Sequence, residues 1–211
     1  FTDIQGHWAE NVIKTLAESD KISGVGDGKF NPDGTVTRAE FLKMAMDSLG
    51  IVGHAYRDGE CLDATNDDWY CYYLQGALDK DIIPEEMIEN CNVTKVTKTL
   101  AEATDDKKAV TTDVNVYTGK FDGDKPITRE EMAAIAVRCK NYKMRRLTDW
   151  DNERRYPIFS FKDSDEIDEK YISDVVEAYN LNYIDGMEDG RFAPKENLTR
   201  AQAAVVMNNL K

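Results

Sequence analysis

Apolar residues recur at spacings of three and four along several segments of the chain, which is the period of an α-helix with one buried face. In three segments an aromatic residue leads the apolar stripe: Trp8 before Val12, Leu16 and Ala17; Trp69 before Tyr73, Leu74 and Ala77; Tyr171 before Val175, Val176 and Tyr179. Three later segments carry Phe41, Leu42, Ala45 and Leu49; Met132, Ala133, Ile135 and Ala136; and Ala203, Ala204, Met207 and Leu210. The pattern predicts three pairs of amphipathic helices.

The loops between the paired helices repeat as well. Each contains glycine, a basic residue and phenylalanine, as in Gly28-Lys29-Phe30, Gly119-Lys120-Phe121 and Gly190-Arg191-Phe192. Eight residues after each phenylalanine stands an arginine: Arg38, Arg129 or Arg200. An aromatic-x-Asp tripeptide opens every unit: Phe1-Thr2-Asp3, Tyr56-Arg57-Asp58 and Phe161-Lys162-Asp163.

These words divide the chain into three units, at about 1–51, 56–142 and 159–211, with a charged linker over 143–158. One helix pair cannot bury its apolar faces alone, so neighbouring units must cover them. We therefore expect one compact, mainly α-helical body with pseudo-threefold arrangement.

The middle unit contains an insertion of about 84–118, rich in threonine, valine and lysine, which predicts a small β-hairpin or an extended loop. The four cysteines, Cys61, Cys71, Cys91 and Cys139, all lie in this unit and form no C-x-x-C pair. Disulfides that tie the insertion to its own helices and buried free thiols both fit this pattern. We expect disulfides rather than a metal site, and the sequence does not choose among the three pairings.

Composition narrows the function. With 41% hydrophobic and 32% charged residues, and no apolar run long enough to cross a bilayer, the sequence predicts a soluble protein without membrane insertion. The 40 acidic residues against 27 lysines and arginines give a net charge of -13, which disfavours nucleic-acid binding.

Candidate catalytic and metal sites fail on spacing. In GDGKFNPDG, Lys29 stands where a calcium loop needs an acidic ligand, and His7 and His54 have no helical partner. No nucleophile or carboxylate pair stands in a recognisable catalytic context. We therefore expect no enzyme activity, no cofactor and no metal.

The sequences TVTRAEF, PITREEM and NLTRAQA precede the second helix of each pair. Thr37 with Glu40, Thr128 with Glu131, and Thr199 with Gln202 have the spacing of a capping box. The arginine is unexpected, because a cation at the first helical position opposes the helix dipole. Two explanations stay open: the arginine pairs with a carboxylate, such as that of aromatic-x-Asp, or it forms an anion site with the helix N-terminus.

These motifs together resemble those of the S-layer homology family over nearly the whole chain. The match is best in the first unit, FTDIQGHWAENVIKTLAESDKISGVGDGKFNPDGTVTRAEF, good in the third and partial in the second. The resemblance implies a three-pronged spindle with a central three-helix bundle and grooves between the prongs. It also implies an extracellular location at the bacterial cell surface, in the S-layer or cell wall.

Family members anchor S-layer proteins and exoenzymes to the cell wall without a covalent bond. The resemblance implies binding of a secondary cell wall polysaccharide with a terminal pyruvylated sugar, such as pyruvylated N-acetylmannosamine. Modified peptidoglycan is the alternative ligand in diderm bacteria. The family arginine that meets the pyruvyl carboxylate corresponds to Arg38, Arg129 and Arg200.

Other groove positions follow from the same resemblance. The family's G-x-x-x-G loop corresponds to Gly24 and Gly28 and to Gly186 and Gly190, where a bare backbone can approach a sugar. In the middle unit Ile82-Ile83-Pro84 replaces the first glycine. Two further sets each have two interpretations: Trp8, Trp69 and Tyr171 stack on sugars or belong to the core, and Asp3, Asp58 and Asp163 cap helices or pair with the arginines.

The sequence thus predicts a non-enzymatic, carbohydrate-binding cell-wall anchor. Two alternatives remain open at this point. In one, the units assemble a structural S-layer lattice, with self-assembly through a parent S-layer protein, and the arginines form buried salt bridges. In the other, the chain belongs to an exoenzyme whose catalytic domain lies outside these 211 residues.

Overall fold

A computed structural model describes residues 1–54, 61–65, 67–101, 110–144 and 161–211. The aromatic-x-Asp word of the second unit, with Asp58, lies outside these residues. So does the predicted linker beyond residue 144.

Within the described residues the chain is mainly helical, as predicted. The α-helices are α1 (Glu10–Glu18), α2 (Arg38–Leu49), α3 (Cys71–Leu78), α4 (Arg129–Met144), α5 (Ile172–Asn180) and α6 (Arg200–Asn209), and short 3₁₀ helices lie at Glu85–Met87, Ser164–Glu166 and Glu169–Tyr171. The insertion is an antiparallel hairpin of β1 (Glu89–Ala101) and β2 (Val110–Lys120), in which Val96 faces Val114. The predicted hairpin is confirmed, and it extends two residues beyond the expected end at 118.

The three capping boxes are present and explain where α2, α4 and α6 begin. The Thr37 hydroxyl accepts a hydrogen bond from the Glu40 amide at 3.2 Å, and the Glu40 carboxylate accepts one from the Thr37 amide at 2.9 Å. The same pair of bonds joins Thr128 with Glu131 and Thr199 with Gln202. Such a cap stabilises a helix by about 1 kcal/mol.

The main helix contacts run from one unit to the next. The second helix of each unit packs on the first helix of the following unit: α2 on α3, α4 on α5, and α6 on α1. Helix α2 also contacts α4 and α6. The third unit therefore closes on the first, and one hydrophobic core spans all three.

A ring of backbone hydrogen bonds marks the centre of this arrangement. Val36 donates to the Leu198 carbonyl at 3.0 Å, Leu198 to Ile127 at 2.9 Å, and Ile127 back to Val36 at 2.9 Å. All three side chains are fully buried. We refer to these three bonds as the central ring.

The expected disulfides are absent, because all four thiols are free. Cys61, Cys71 and Cys139 are buried and pack as small apolar side chains. Burial raises the pKa of Cys61 to about 12 and also raises the pKa of Cys139. The middle unit is thus held by apolar packing where the sequence suggested covalent links.

Candidate functional site

The arginine behind each cap reaches across to the next unit. Arg129 donates from Nε to the Phe192 carbonyl at 2.7 Å and from Nη2 to the Asp185 carbonyl at 2.9 Å. Arg200 donates from Nε to the Phe30 carbonyl at 2.8 Å and from Nη2 to the Ser23 carbonyl at 3.0 Å. The two arginines therefore make equivalent bonds between units, and both bonds go to backbone oxygens.

Each of these guanidinium groups also lies over the phenylalanine ring of the loop it contacts. The distance from the guanidinium carbon to the ring centroid is 5.0 Å for Arg129 over Phe192 and 4.8 Å for Arg200 over Phe30. The geometry is that of a cation–π contact. The repeated phenylalanine thus supports the repeated arginine, which the sequence pattern did not reveal.

Arg38 has a different partner. It donates to the Phe121 carbonyl at 2.6 Å and the Met87 carbonyl at 3.2 Å, and its Nε lies 3.2 Å from Oε2 of Glu131. Its Nη2 also pairs with Oε1 of Glu131. A carboxylate partner was one of the two explanations for the arginines, and it holds for Arg38, although the partner is a capping residue.

Arg129 and Arg200 are buried cations without an ion pair among the described residues. Their exposed fractions are only 6% and 9%. Burial lowers the pKa of both guanidinium groups, because removal from water disfavours their charge, and nearby carboxylates offset only part of this effect. A bound anion would offset this cost.

Arg129 lies in a groove of about 390 Å³ to which all three units contribute. Gly186 and its preceding loop form one side, Gln202, Val205, Val206 and Asn209 of α6 form another, and Trp8 of the first unit stands at the rim. We call this space the Arg129 groove.

Arg200 lies in a second groove, of about 410 Å³, built in the same way. Gly24 and its preceding loop replace those of Gly186, and Trp69 replaces Trp8. The α2 residues Glu40, Lys43, Met44 and Asp47 hold the helical positions that Gln202, Val205, Val206 and Asn209 hold on α6. We call this space the Arg200 groove.

The two tryptophans are surface residues, so their interpretation as core is wrong. Trp8 is 66% exposed and Trp69 is 52% exposed, whereas Tyr171 is 2% exposed and belongs to the core. The residues directly before α1, α3 and α5 are Ala9, Tyr70 and Tyr171, all buried. Lys170, not Tyr171, therefore stands at the tryptophan position of the third unit.

The aspartates of the aromatic-x-Asp words hold the loops that receive the arginines. The Asp3 carboxylate accepts bonds from the amides of Phe30 and Asn31 at 2.8 and 2.7 Å, and the Phe30 bond lowers the pKa of Asp3. Asp163 does the same for Phe192 and Ala193, both at 2.8 Å. Neither side chain makes a helix-capping bond or a direct arginine ion pair among the described residues, although Asp163 stands at the N-cap position of a short 3₁₀ helix and the charges of Asp163 and Asp3 favour the charged forms of Arg129 and Arg200.

In the middle unit this work is done by Asp63, which the sequence analysis missed. Its carboxylate accepts from the amides of Phe121 and Asp122 at 2.7 and 3.0 Å. The signal was the distance to the following tryptophan: Asp63 stands six residues before Trp69, close to the five between Asp3 and Trp8, whereas Asp58 stands eleven before it.

The paired glycines differ in role. A Cβ atom at Gly24 would lie 2.6 Å from the Phe1 ring, and one at Gly186 would lie 2.6 Å from the Phe161 ring. Both glycines line the grooves, and a side chain at either would collide with the aromatic ring behind it and, at Gly24, also with the Lys29 carbonyl oxygen. Gly28 and Gly190 have φ values of +68° and +85°, where glycine is favoured, and lie outside the two linings.

At the third equivalent position the helices hold a polar cluster. Arg138 of α4 stands where Asp47 and Asn209 stand in the other two helices, and its Nη2 lies 3.5 Å from the buried Asp174 carboxylate of α5. Burial raises the pKa of Asp174 to about 6.

Among the described residues, no group of three or more acidic, histidine or cysteine side chains could hold a metal, and no helix is long and apolar enough to span a bilayer.

Residues 1–42 and 160–204 match the S-layer homology domain. The chain belongs to the S-layer homology family. Its domain is a non-catalytic anchoring domain found in cell-surface and S-layer-associated proteins, and the chain is a cell-surface segment.

Three relatives match this S-layer homology chain over its whole length. They are an amylopullulanase of Thermoanaerobacterium thermosulfurigenes and the exoglucanase XynX of Acetivibrio thermocellus, each 33% identical, and an endoglucanase of Bacillus sp. (strain KSM-635), 31% identical. The chain spans only 9%, 16% and 18% of their respective lengths. The similarity thus concerns one part of much longer proteins.

Proposed function

We propose that the chain anchors a larger protein to the cell wall by binding a carboxylate-bearing terminal sugar in the Arg129 groove and the Arg200 groove. The observation that carries this proposal is the pair of buried guanidinium groups, each without an ion pair among the described residues and each lining an open groove. The ligand we propose is a pyruvylated secondary cell wall polysaccharide.

The arginine geometry suits a carboxylate. In both grooves Nε and Nη2 are fixed by carbonyl oxygens, while Nη1 makes no hydrogen bond within the described part of the chain. The guanidinium plane is therefore held in one orientation before the ligand arrives, with donors left over. Preorganised donors bind a carboxylate with less loss of side-chain entropy.

The rest of each groove offers surfaces for the sugar. The exposed Trp8 and Trp69 present flat apolar faces at the rims, and we propose that they stack on the ring. Gly186 and Gly24 leave the loop backbone uncovered beside it.

We further propose that the three units form the prongs of a pseudo-threefold spindle around α2, α4 and α6. The cyclic helix contacts and the central ring support this arrangement. Two grooves on one body, facing a polymer with many terminal sugars, would raise the overall affinity through multivalency. The relatives' names as polysaccharide-degrading enzymes support an exoenzyme as the anchored protein.

The proposal is tested by titrating the protein with wall polysaccharide before and after chemical removal of its pyruvate. We expect the intact polymer to bind and the depyruvylated polymer to bind at least about tenfold more weakly, because a buried charge-assisted bond is worth about 1.5–3 kcal/mol. Arg129→Ala and Arg200→Ala should each lower affinity, and the double variant should lower it further.

Arg38→Ala is the matched control. It also removes bonds between units, but its guanidinium is already paired with Glu131. Polysaccharide binding by a folded Arg38→Ala variant should stay within about threefold of the parent. Equal affinity for both polymers, unchanged by the Arg129 and Arg200 substitutions, would refute the carboxylate clamp.

A purely structural role is the second candidate, and the arginine–carbonyl bonds between units favour it. In that case the three alanine variants should be destabilised alike, and neither form of the polysaccharide should bind. Binding of peptidoglycan fragments instead of the polysaccharide would point to the diderm type of anchor.

A further inference from the structure

We propose that the third residue of each capping-box helix, at position 40, 131 or 202, determines whether its groove accepts an anion. On this basis the Arg129 groove, with Gln202, is the principal binding site, and the Arg200 groove, with Glu40, is a weaker one. This inference rests on the proposed function and ranks sites that the proposal leaves equal.

The Arg38 position shows what a glutamate at this point can do. Glu131 keeps its capping bond to the Thr128 amide at 3.2 Å and at the same time pairs with Nε and Nη2 of Arg38. Arg38 is thus occupied by a carboxylate of the protein itself. In Arg129 and Arg200 the single Nε donor is already taken by a carbonyl oxygen, so a ligand carboxylate there would be met chiefly by Nη1.

In the Arg200 groove the corresponding carboxylate is close to the arginine without pairing. Glu40 lines the groove, caps Thr37 at 2.9 Å, and its charge favours the charged form of Arg200 against the effect of burial. An entering anion meets this negative charge beside the arginine. At an effective dielectric constant of about 20, a like charge at a few ångströms weakens binding by about tenfold or more.

In the Arg129 groove the same position is neutral. Gln202 keeps the cap through its carbonyl oxygen, at 3.0 Å from the Thr199 amide. Its amide nitrogen makes no bond within the described residues and can donate to a carboxylate. Val205 and Val206 replace Lys43 and Met44 on this wall, so the helix presents neither a carboxylate nor a lysine to the ligand, and the remaining charges of the lining are those of Arg129, Asp185 and Glu188.

Ligand binding to each groove can be measured separately by fluorescence, because each groove has its own tryptophan. Variant Trp69→Phe/Trp150→Phe leaves Trp8 as the reporter of the Arg129 groove, and Trp8→Phe/Trp150→Phe leaves Trp69 as the reporter of the Arg200 groove. The probe is the methyl glycoside of N-acetylmannosamine carrying a 4,6-linked pyruvate ketal, and the same glycoside without pyruvate is the uncharged comparison.

We expect the Trp8 reporter to saturate at a concentration about tenfold or more below that of the Trp69 reporter. Gln202→Glu should weaken the first site by about tenfold, and Glu40→Gln should strengthen the second by a similar factor. Both exchanges keep a capping box, because α2 and α6 show glutamate and glutamine in the same bonds. Glu18→Gln removes one negative charge at an exposed position, as Glu40→Gln does in the groove. It should change the affinity of neither site.

Equal affinities at the two reporters, unmoved by Gln202→Glu and Glu40→Gln, would overturn this inference while the proposed function stands. An opposite order of the two sites would overturn it as well. Failure of the pyruvylated probe to bind better than the uncharged glycoside at either reporter would refute the proposed function itself.

Discussion

Asp174 shows how one buried carboxyl links stability to pH. It lies between α4 and α5, its Oδ2 makes no hydrogen bond there, and Arg138 at 3.5 Å is its ion-pair partner. Burial raises the pKa of this carboxyl from 3.8 to about 6. The folded state therefore holds the proton more tightly than the unfolded chain, and this stabilisation, full below pH 3.8, is lost as pH rises through about 6.

We expect Asp174→Asn to raise the free energy of unfolding relative to the parent more at pH 7.5 than at pH 4.5. The shift of about two pKa units limits this difference to about 3 kcal/mol. Urea unfolding at the two pH values measures it. Asp165→Asn removes the same charge at an exposed position and should change the free energy of unfolding equally at both pH values. An equal change for Asp174→Asn at both pH values would contradict the raised pKa of Asp174.

Single residues were also where prediction from the sequence failed most often. The capping boxes were predicted correctly, because their partners stand three residues apart. The arginine partners were not, because Arg200 and Phe30 are 170 residues apart and meet only when the third unit closes on the first. Asp63 was missed because Cys61, two residues before it, takes the place of the aromatic residue in the aromatic-x-Asp motif.

Among the elements, the hairpin of β1 and β2 stands apart from the repeated helices. Its base is anchored by the buried Tyr117, while most side chains further along the described strands are at least partly exposed. The antiparallel pairing accounts for the threonine and valine content that predicted strands here. The expectation of disulfides was wrong, since all four cysteines are free, and the unit to which the hairpin belongs shares the common hydrophobic core.

Shortening the hairpin should leave the helices and the grooves intact. Replacing residues 95–115 with Asn-Gly joins the facing pair Thr94 and Val116 through a two-residue turn. We expect the free energy of unfolding to change by less than about 1 kcal/mol, because surface changes away from buried contacts are usually this small. Loss of polysaccharide binding in this variant would show that the hairpin belongs to the binding surface.

At the scale of the whole molecule, the repeat pattern predicted a compact mainly helical body, and the described residues share one core. The pattern could not predict which helices pack on each other, because two helices that follow one another in the sequence suggest packing within one unit. The main helix contacts instead join successive units. The same arrangement brings residues of all three units to each groove.

Cyclic packing predicts that the units unfold together. Each unit donates one bond and accepts one bond in the central ring, so removing any unit breaks two of the three. The Trp8-only and Trp69-only variants should therefore give coincident urea transitions, by fluorescence and by circular dichroism. Separate midpoints for the two tryptophans would show that the units are independent.

Arg38 carries a consequence for how such a chain can change over time. Its groove position is filled by Glu131, yet its bonds to the Phe121 and Met87 carbonyls still join the first unit to the second. Under the proposed function, a glutamate of the neighbouring unit can thus close an arginine to the ligand while that arginine still holds the two units together. In this chain the arginine of each T-R motif joins two units, and under the proposed function the capping residue of the neighbouring helix, Glu131 at Arg38, Glu40 at Arg200 and Gln202 at Arg129, sets how readily a carboxylate binds there.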